Sequence, residues 1–259
     1  MPTVNENGRS STLGRSFATE RRNRKTSELI ARDLVNYIVS EDLPAGSMLP
    51  TEKEMVESFG VGRTTLREAL RLLETRGVIT IRSGPRGGPV VRRPDPADLS
   101  EALTLILQFE GASLSDVVDA RQAIEPMVAR LAASRITDEQ IDELQRTVDA
   151  ILDDLGHHDV FQVENQLFHS LIAGASGSAV LHVFNEAVKT IADGVIVGVE
   201  YTPNRRKAVA LAHQRIIDAL RRHDATEAEK MMQLHIDEAA GYWNRHFSDL
   251  VSQPVRWVH

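Results

Sequence analysis

Three histidines in the second half of the chain have the setting of a metal site. His169 lies in VENQLFHSLI (163–172), four residues after Asn165, so the two project from one helical face. His213 in LAHQRII (211–217) and His235 in MQLHIDEA (232–239) sit in two later helical segments, each among apolar residues where a water-facing side is not expected. Any one of them alone reads as a satisfied core residue. Three imidazoles and an amide oxygen meeting in a helical core read as a ligand set for a borderline divalent metal, zinc first, with nickel or another as alternatives. The site would have no carboxylate base beside its ligands, since Glu164 is one residue off their face.

A different chemistry is written into GRTTLREALRLLETRG (62–77). Leu66, Ala69, Leu70 and Leu73 recur at helical spacing, while Arg63, Thr64 and Arg67 crowd the opposite face near the start. Arginine forks onto guanine or clamps a phosphate, threonine reaches a base edge or phosphate oxygen, and a helix N-terminus adds a positive pole. Such a helix suits insertion into DNA. The plain alternative is a surface helix with solvated arginines.

Flanking elements decide between these readings. Upstream, LPTEKEMVESFGV (49–61) holds a Thr-x-x-Glu capping box, Thr51 with Glu54, followed by Met55, Val56, Phe59 and a turn at Gly60. That is helix-turn-helix spacing. Before it, Leu29, Ile30, Leu34, Tyr37 and Ile38 form one face of a further helix that closes a small core. After it, Val78–Ile81 and Val90–Val91 read as short strands around a Gly/Pro-rich tip carrying arginines at 82 and 86. A hairpin of this kind is a wing.

The stretch RRPDPADL (92–99) marks a joint, because each proline disfavours helix in the residue before it. Beyond it the pattern is helical throughout: segments near 98–109, 114–134, 138–154, 159–174, 178–197, 203–222 and 225–247, with breaks at Gly111, Ile136–Thr137, Gly156, Gly174–Gly177, Pro203 and His223–Asp224. Pro126 should kink the second segment or mark a junction in it. The fold expected is mostly α: an N-terminal winged helix-turn-helix with a small β-hairpin, then an all-α bundle of about seven helices. Three regions follow: a flexible basic arm over 1–26, a DNA-binding domain over 27–94 and a helical effector-binding and dimerisation domain over 95–250.

Charge is partitioned along the same line. Residues 1–94 hold 16 Lys and Arg against 11 Asp and Glu, whereas residues 95–259 hold 14 against 26. The overall charge of −7 thus hides a basic end on an acidic body. Nucleic-acid affinity depends on local phosphate neutralisation, so an acidic total is no objection. Cysteine is absent, which excludes disulfides and thiolate metal sites and fits a reducing cytoplasm. The longest apolar runs, such as LTLILQF (103–109), have the length of core helices, so no membrane span is expected. Residues 1–26, with six Lys and Arg against two Glu, lack the apolar stretch of a secretory signal.

LPTEKEMVESFGVGRTTLREALRLLETRGVI with its Gly-rich wing resembles the winged helix-turn-helix of GntR-type bacterial transcription regulators, and the FadR subfamily in particular, over residues 27–92. The resemblance implies that Arg63, Thr64, Thr65 and Arg67 lie at the DNA, with Lys53 and the wing residues Gly84 and Arg86 beside them. Where the family commonly has Ser or Thr this chain has Gly62, which caps a helix but offers no side chain to a phosphate.

Residues 98–247 resemble the FCD effector domain that accompanies this DNA-binding type. Its pattern falls on Arg121 and Glu125 of DARQAIEPMVARLAA, on Asn165 with Phe168 and His169, and on His213 and His235; Asn165 stands where many metal-binding members carry aspartate. The resemblance implies a homodimer on a palindromic double-stranded operator. It also implies a small organic or sugar acid as effector, its oxygens on the metal and Arg121 pairing its charge. Arg121 and Glu125, four apart, could instead pair along their own helix. The expected role is therefore a regulator and not an enzyme, most simply a repressor. Three alternatives remain: an acyl-CoA sensor without metal, a metal-dependent hydrolase with a tethered DNA-binding domain, and an architectural dimer whose bundle only dimerises.

Overall fold

A computed structural model describes residues 25–84, 87–195 and 199–257. Arg86 and nearly all of the expected basic arm lie outside these described residues. The chain divides between Asp95 and Pro96 into two compact units.

The first unit opens with helix α1 over 25–40, followed by α2 (Glu52–Phe59) and α3 (Arg63–Thr75). Thr51 caps α2 through the full reciprocal box: its hydroxyl accepts from Glu54 N–H, and Glu54 accepts from the Thr51 backbone at 2.8 Å. Gly60, at φ +62°, stops α2 in the left-handed conformation that a residue without Cβ adopts at least cost. Gly62 then begins α3 with no side-chain cap. Strands β1 (Ile79–Arg82) and β2 (Gly88–Val91) pair antiparallel, Ile79 opposite Val91 and Arg82 opposite Gly88. Met48 bridges to Val90 and Leu49 N–H bonds to Pro89 O at 2.9 Å, so the segment before α2 also seats against β2. The sequence pattern gave no sign of that pairing.

Leu66, Leu70 and Leu73 of α3, Met55 of α2, Ile30 and Leu34 of α1, and Ile79 form the core of this unit. One expectation needs correction. Leu29 and Tyr37 are 41% and 42% exposed, while Ala31 is 1% exposed. The α1 stripe is centred on Ile30, Leu34 and Ile38, with small Ala31 allowing close approach, so large side chains one position off that row flank the contact.

Eight helices are described in the second unit: α4 (Pro96–Glu110), α5 (Leu114–Ala133), α6 (Asp138–Asp153), α7 (His158–Ala175), α8 (Ala179–Val195), α9 (Pro203–Arg221), α10 (Ala225–His246) and α11 (Ser248–Val251). Their starts follow sequence signals: a reciprocal box at Thr137, Thr202 followed by Pro203, and Asp224 accepting from Glu227 N–H. The short α11 was not expected. Helix α5 passes through Pro126 without interruption, so that proline marks no junction; it is buried inside the helix. Side chains of α5, α6, α7, α9 and α10 build the main core, with Phe168, Leu144, Ile172, Ile216 and Ile217 at its centre. After α11 the chain returns to the start of α5, where Val255 N–H bonds to Ala112 O at 2.8 Å and Val255 is fully buried. No described helix is long and apolar enough to cross a membrane.

Candidate functional site

On α3 the apolar and polar faces separate as the spacing requires. Leu66, Ala69, Leu70 and Leu73 are buried, Arg63, Thr64 and Arg67 are exposed, and Thr65 is half-buried at the boundary. Arg67 is held: its Nε donates to Glu52 Oε2 at 3.0 Å, tying the start of α3 to the first residue of α2. Lys53 is exposed beside Glu52, and Gly84 is exposed at φ +108°, a turn conformation that side chains rarely adopt. A Cβ at Gly87 would overlap the Arg82 carbonyl, so the two strands of the wing approach too closely there for any larger residue.

In the second unit α7, α9 and α10 bring the three histidines together. His235 Nε2 lies 3.3 Å from both His213 Nε2 and His169 Nε2, and donor atoms of all three fall within 4.8 Å of one another. They are 5%, 0% and 3% exposed respectively. Phe168 stacks flat on His213, with centroids 3.7 Å apart and 4° between the planes, which fixes that ring. On the far side of His169, Nδ1 is 2.6 Å from Glu125 Oε2, while Glu125 Oε1 accepts from Arg121 Nε at 2.5 Å.

This relay assigns the tautomer. A carboxylate beside Nδ1 holds the proton there and leaves the Nε2 lone pair for the cluster. Burial favours the neutral form of Glu125, but Arg121 and His169 outweigh it and hold the carboxyl far below the usual carboxylate range. Burial likewise disfavours the Arg121 charge, and Glu125 more than offsets it, so the guanidinium is held above its ordinary value. His213 and His235 are held well below the ordinary imidazole range, by burial first and then by neighbouring imidazoles. His213 and His235 are thus kept as lone-pair donors, and the three buried rings face one point. Neutral rings cannot satisfy one another in that arrangement, because each Nε2–H serves a single acceptor. A divalent cation satisfies all three, and the donor set fits zinc or nickel.

A cavity adjoins this cluster, lined by Arg121, Asn165, His169, Asp193, Tyr201 and His235, among others. Asn165 lines it one turn before His169, whereas His213 is fully buried and is not one of the lining residues. Arg121 pairs with Glu125 along its own helix, as the spacing allowed, and also lines the cavity. The expectation of no carboxylate near the ligands is overturned: Glu125 contacts His169, and Asp193 lines the cavity. Asp193 is held up by burial, against Lys189, whose Nζ is 3.9 Å away, and against Arg121. Tyr201, Arg205, His158 and Trp243 also line the cavity and carried no local signal, since each belongs to it only through the packing of distant helices.

Stability of the metal-free protein should fall with acid. Because His213 and His235 are held below the ordinary imidazole pKa of about 6.5, the folded state binds fewer protons than the unfolded chain. Their contribution is complete above that pH and is lost progressively below it. Glu125, also held down, acts in the same direction at lower pH. Melting curves in chelator at pH 7.5 and 5.5 should show the lower midpoint at 5.5, with a smaller difference in His213→Leu. A midpoint independent of pH would show that the imidazoles are not buried neutral.

A family model described as "Bacterial regulatory proteins, gntR family" matches residues 26–87, and one described as "FCD domain" matches residues 116–238. The chain is 28% identical over 249 residues to the HTH-type transcriptional repressor NanR of Escherichia coli (strain K12), covering 94% of this chain and 90% of that protein. It is 28% identical over 238 residues to NanR of Enterobacter sp. (strain 638), covering 90% and 91%. Among solved structures, Streptococcus agalactiae GntR is similar at TM-score 0.66 and 29% identity, over 83% of this chain and 99% of that one.

Proposed function

Since the chain belongs to the GntR family of bacterial regulatory proteins and carries an FCD domain, we propose that it is a transcriptional repressor whose operator binding is switched by a small acid in the C-terminal unit. Residues 27–94 are the DNA-binding domain and 95–250 the effector and dimerisation domain, with residues 1–26 as a basic arm. Two copies place two α3 helices on a palindromic operator. Arg63, Thr64, Thr65 and Arg67 meet the groove, and Lys53 and the wing, at Gly84 and Arg86, take phosphates. The exposure of the polar side of α3 over a sealed apolar side supports this.

The observation that carries the effector reading is the Arg121–Glu125–His169 relay ending at three converging imidazoles. His169, His213 and His235, with Asn165 beside them, hold a divalent metal, which when bound supplies a Lewis-acidic point for a carboxylate oxygen. Glu125 orients His169 and keeps Arg121 charged. Arg121 presents the rest of its guanidinium to the acid. The acid must bind one arrangement of the protein more tightly than the other; a shift from 1:99 to 99:1 requires about 5.5 kcal/mol of difference. The polar lining weighs against the acyl-CoA alternative, because a methylene chain would displace water from Arg121, Asn165 and Asp193 without offering them a hydrogen bond.

Arg63→Ala and Arg67→Ala should each weaken operator binding by roughly 1–3 kcal/mol, with self-association and melting unchanged. Anisotropy titrations on operator DNA at matched salt would check this, and parental affinity in both variants would remove α3 from the interface. Arg67→Ala carries an internal control. It frees Glu52, so Glu52→Ala alone should strengthen binding to unrelated DNA, by removing a carboxylate that competes with phosphate for Arg67.

A further inference from the structure

Several donors around the cavity have no acceptor. Both ring nitrogens of His158 are buried without a hydrogen-bond partner, although a neutral imidazole must carry one N–H. Arg205 Nε is buried and unpartnered as well, while its Nη2 reaches only the Glu238 carbonyl at 3.3 Å and its guanidinium lies over the Tyr242 ring, 4.6 Å from the centroid. Among the described residues no carboxylate pairs with it. Tyr201 supplies a third donor by elimination. Its oxygen accepts the Trp243 indole N–H, so its own proton points elsewhere, and burial holds that hydroxyl protonated. All three residues line the cavity.

They also form a group apart from the imidazole cluster. His158 opens α7 and Arg205 lies in the first turn of α9, and the two starts are tied by Arg206 Nη1 donating to Leu155 O at 2.9 Å. At 1.5 Å per residue, His158 is about 16 Å along α7 from His169, and Arg205 about 12 Å along α9 from His213. Buried donors without acceptors are rare because each costs a desolvation penalty, so three on one cavity wall call for an oxygen-rich partner. Arg205 adds a positive charge that no carboxylate of the described chain neutralises.

We propose that His158, Tyr201 and Arg205 form a second oxyanion subsite, so that the effector is an acid bearing a further carboxylate or phosphate at its other end. This rests on the reading of the cavity as an acid site. The imidazole end takes one oxyanion, and the starts of α7 and α9 take the other. A monocarboxylate leaves the second set of donors unpaired and binds weakly.

Calorimetric titration of zinc-loaded full-length protein with matched pairs long enough to approach both ends tests this: decanoate against sebacate, and gluconate against 6-phosphogluconate. In the parent the two-anion member of at least one pair should bind about tenfold more tightly or better, since hydrogen bonds to charged groups of this kind reach that size. The pair with the larger advantage tells carboxylate from phosphate. Arg205→Gln and His158→Phe, the latter keeping the ring against Phe161, should shrink the advantage to about twofold while monoacid affinity stays parental. Equal affinity within both pairs overturns the subsite, as does an undiminished advantage in both variants. If no acid of either kind binds, the acid-site reading fails first and the subsite with it. Melting curves expose a misfolded variant, and the parental pairs decide without any variant.

Discussion

Replacing Glu125 with alanine is expected to cost the helical unit about 3–5 kcal/mol and to lower its metal affinity by about 10–100-fold. The stability loss follows from what remains: Arg121 is 9% exposed and Glu125 3%, so the change strands a buried guanidinium whose Nε has lost its acceptor. The metal loss has a different origin. Without the carboxylate at Nδ1, His169 is free to rotate or to carry its proton on Nε2, where it cannot donate a lone pair. Glu125→Gln keeps the volume and one acceptor oxygen but not the charge, and should fall between parent and alanine on both measures. Urea unfolding in chelator reads the first effect and competitive zinc titration the second. An alanine variant as stable as the parent would mean that the relay contributes nothing net, and parental zinc affinity would place Glu125 outside the metal's influence.

Chelation should lower the melting temperature of the parent by roughly 8–16 °C when compared with protein in zinc at about 1,000 times Kd. A ligand that binds only the folded state contributes about 4 kcal/mol there, and each kcal/mol moves a unit of this size by about 2–4 °C. His235→Ala should melt at the same temperature with and without zinc. Its nitrogen is the one within 3.3 Å of both other imidazoles, so its removal opens the middle of the cluster. In chelator the variant should not be far below the parent, because the metal-free parent carries imidazole nitrogens that cannot all be satisfied. A parent indifferent to chelator, with no stoichiometric metal by elemental analysis, would leave the three histidines as core residues.

Much of the fold could be read locally because its signals are local. The Thr51–Glu54 box, the glycine at 60 and the breaks between bundle segments each depend on residues within a few positions of one another. Periodicity also located the buried side of α3, where four apolar residues at 3.6-residue spacing leave no second choice. It misplaced Leu29 and Tyr37 on α1 because hydrophobicity says that a side chain can be buried, and only the partner's shape says whether it is. Pairing of Met48 with Val90 joins segments 42 positions apart in number, with no turn between them to announce it.

The site divides in the same way. Asn165 with His169, and Arg121 with Glu125, are neighbours on one helix and were visible as pairs. That Glu125 reaches across to His169 depends on how α5 meets α7, for which no spacing rule exists. Asp193, Tyr201, Arg205 and His158 come from four places, and nothing in their own sequence neighbourhoods separates them from ordinary surface residues. A buried, unpartnered donor is a property of the assembled molecule alone.

The order of the three histidines along the chain has a kinetic consequence for any ion they hold. His169 and His235 are 66 residues apart and His213 lies 22 before His235, so an ion held by all three closes two large loops at once. Loop closure of that length is costly before the enclosed helices have docked, which places completion of the cluster after the rate-limiting step of folding. Interactions absent from the transition state act on unfolding and leave the folding rate nearly unchanged. Zinc should therefore leave the refolding limb of a chevron plot in place and depress the unfolding limb. The ion would then serve less as a nucleus for the bundle than as a clasp that sets how long it stays closed.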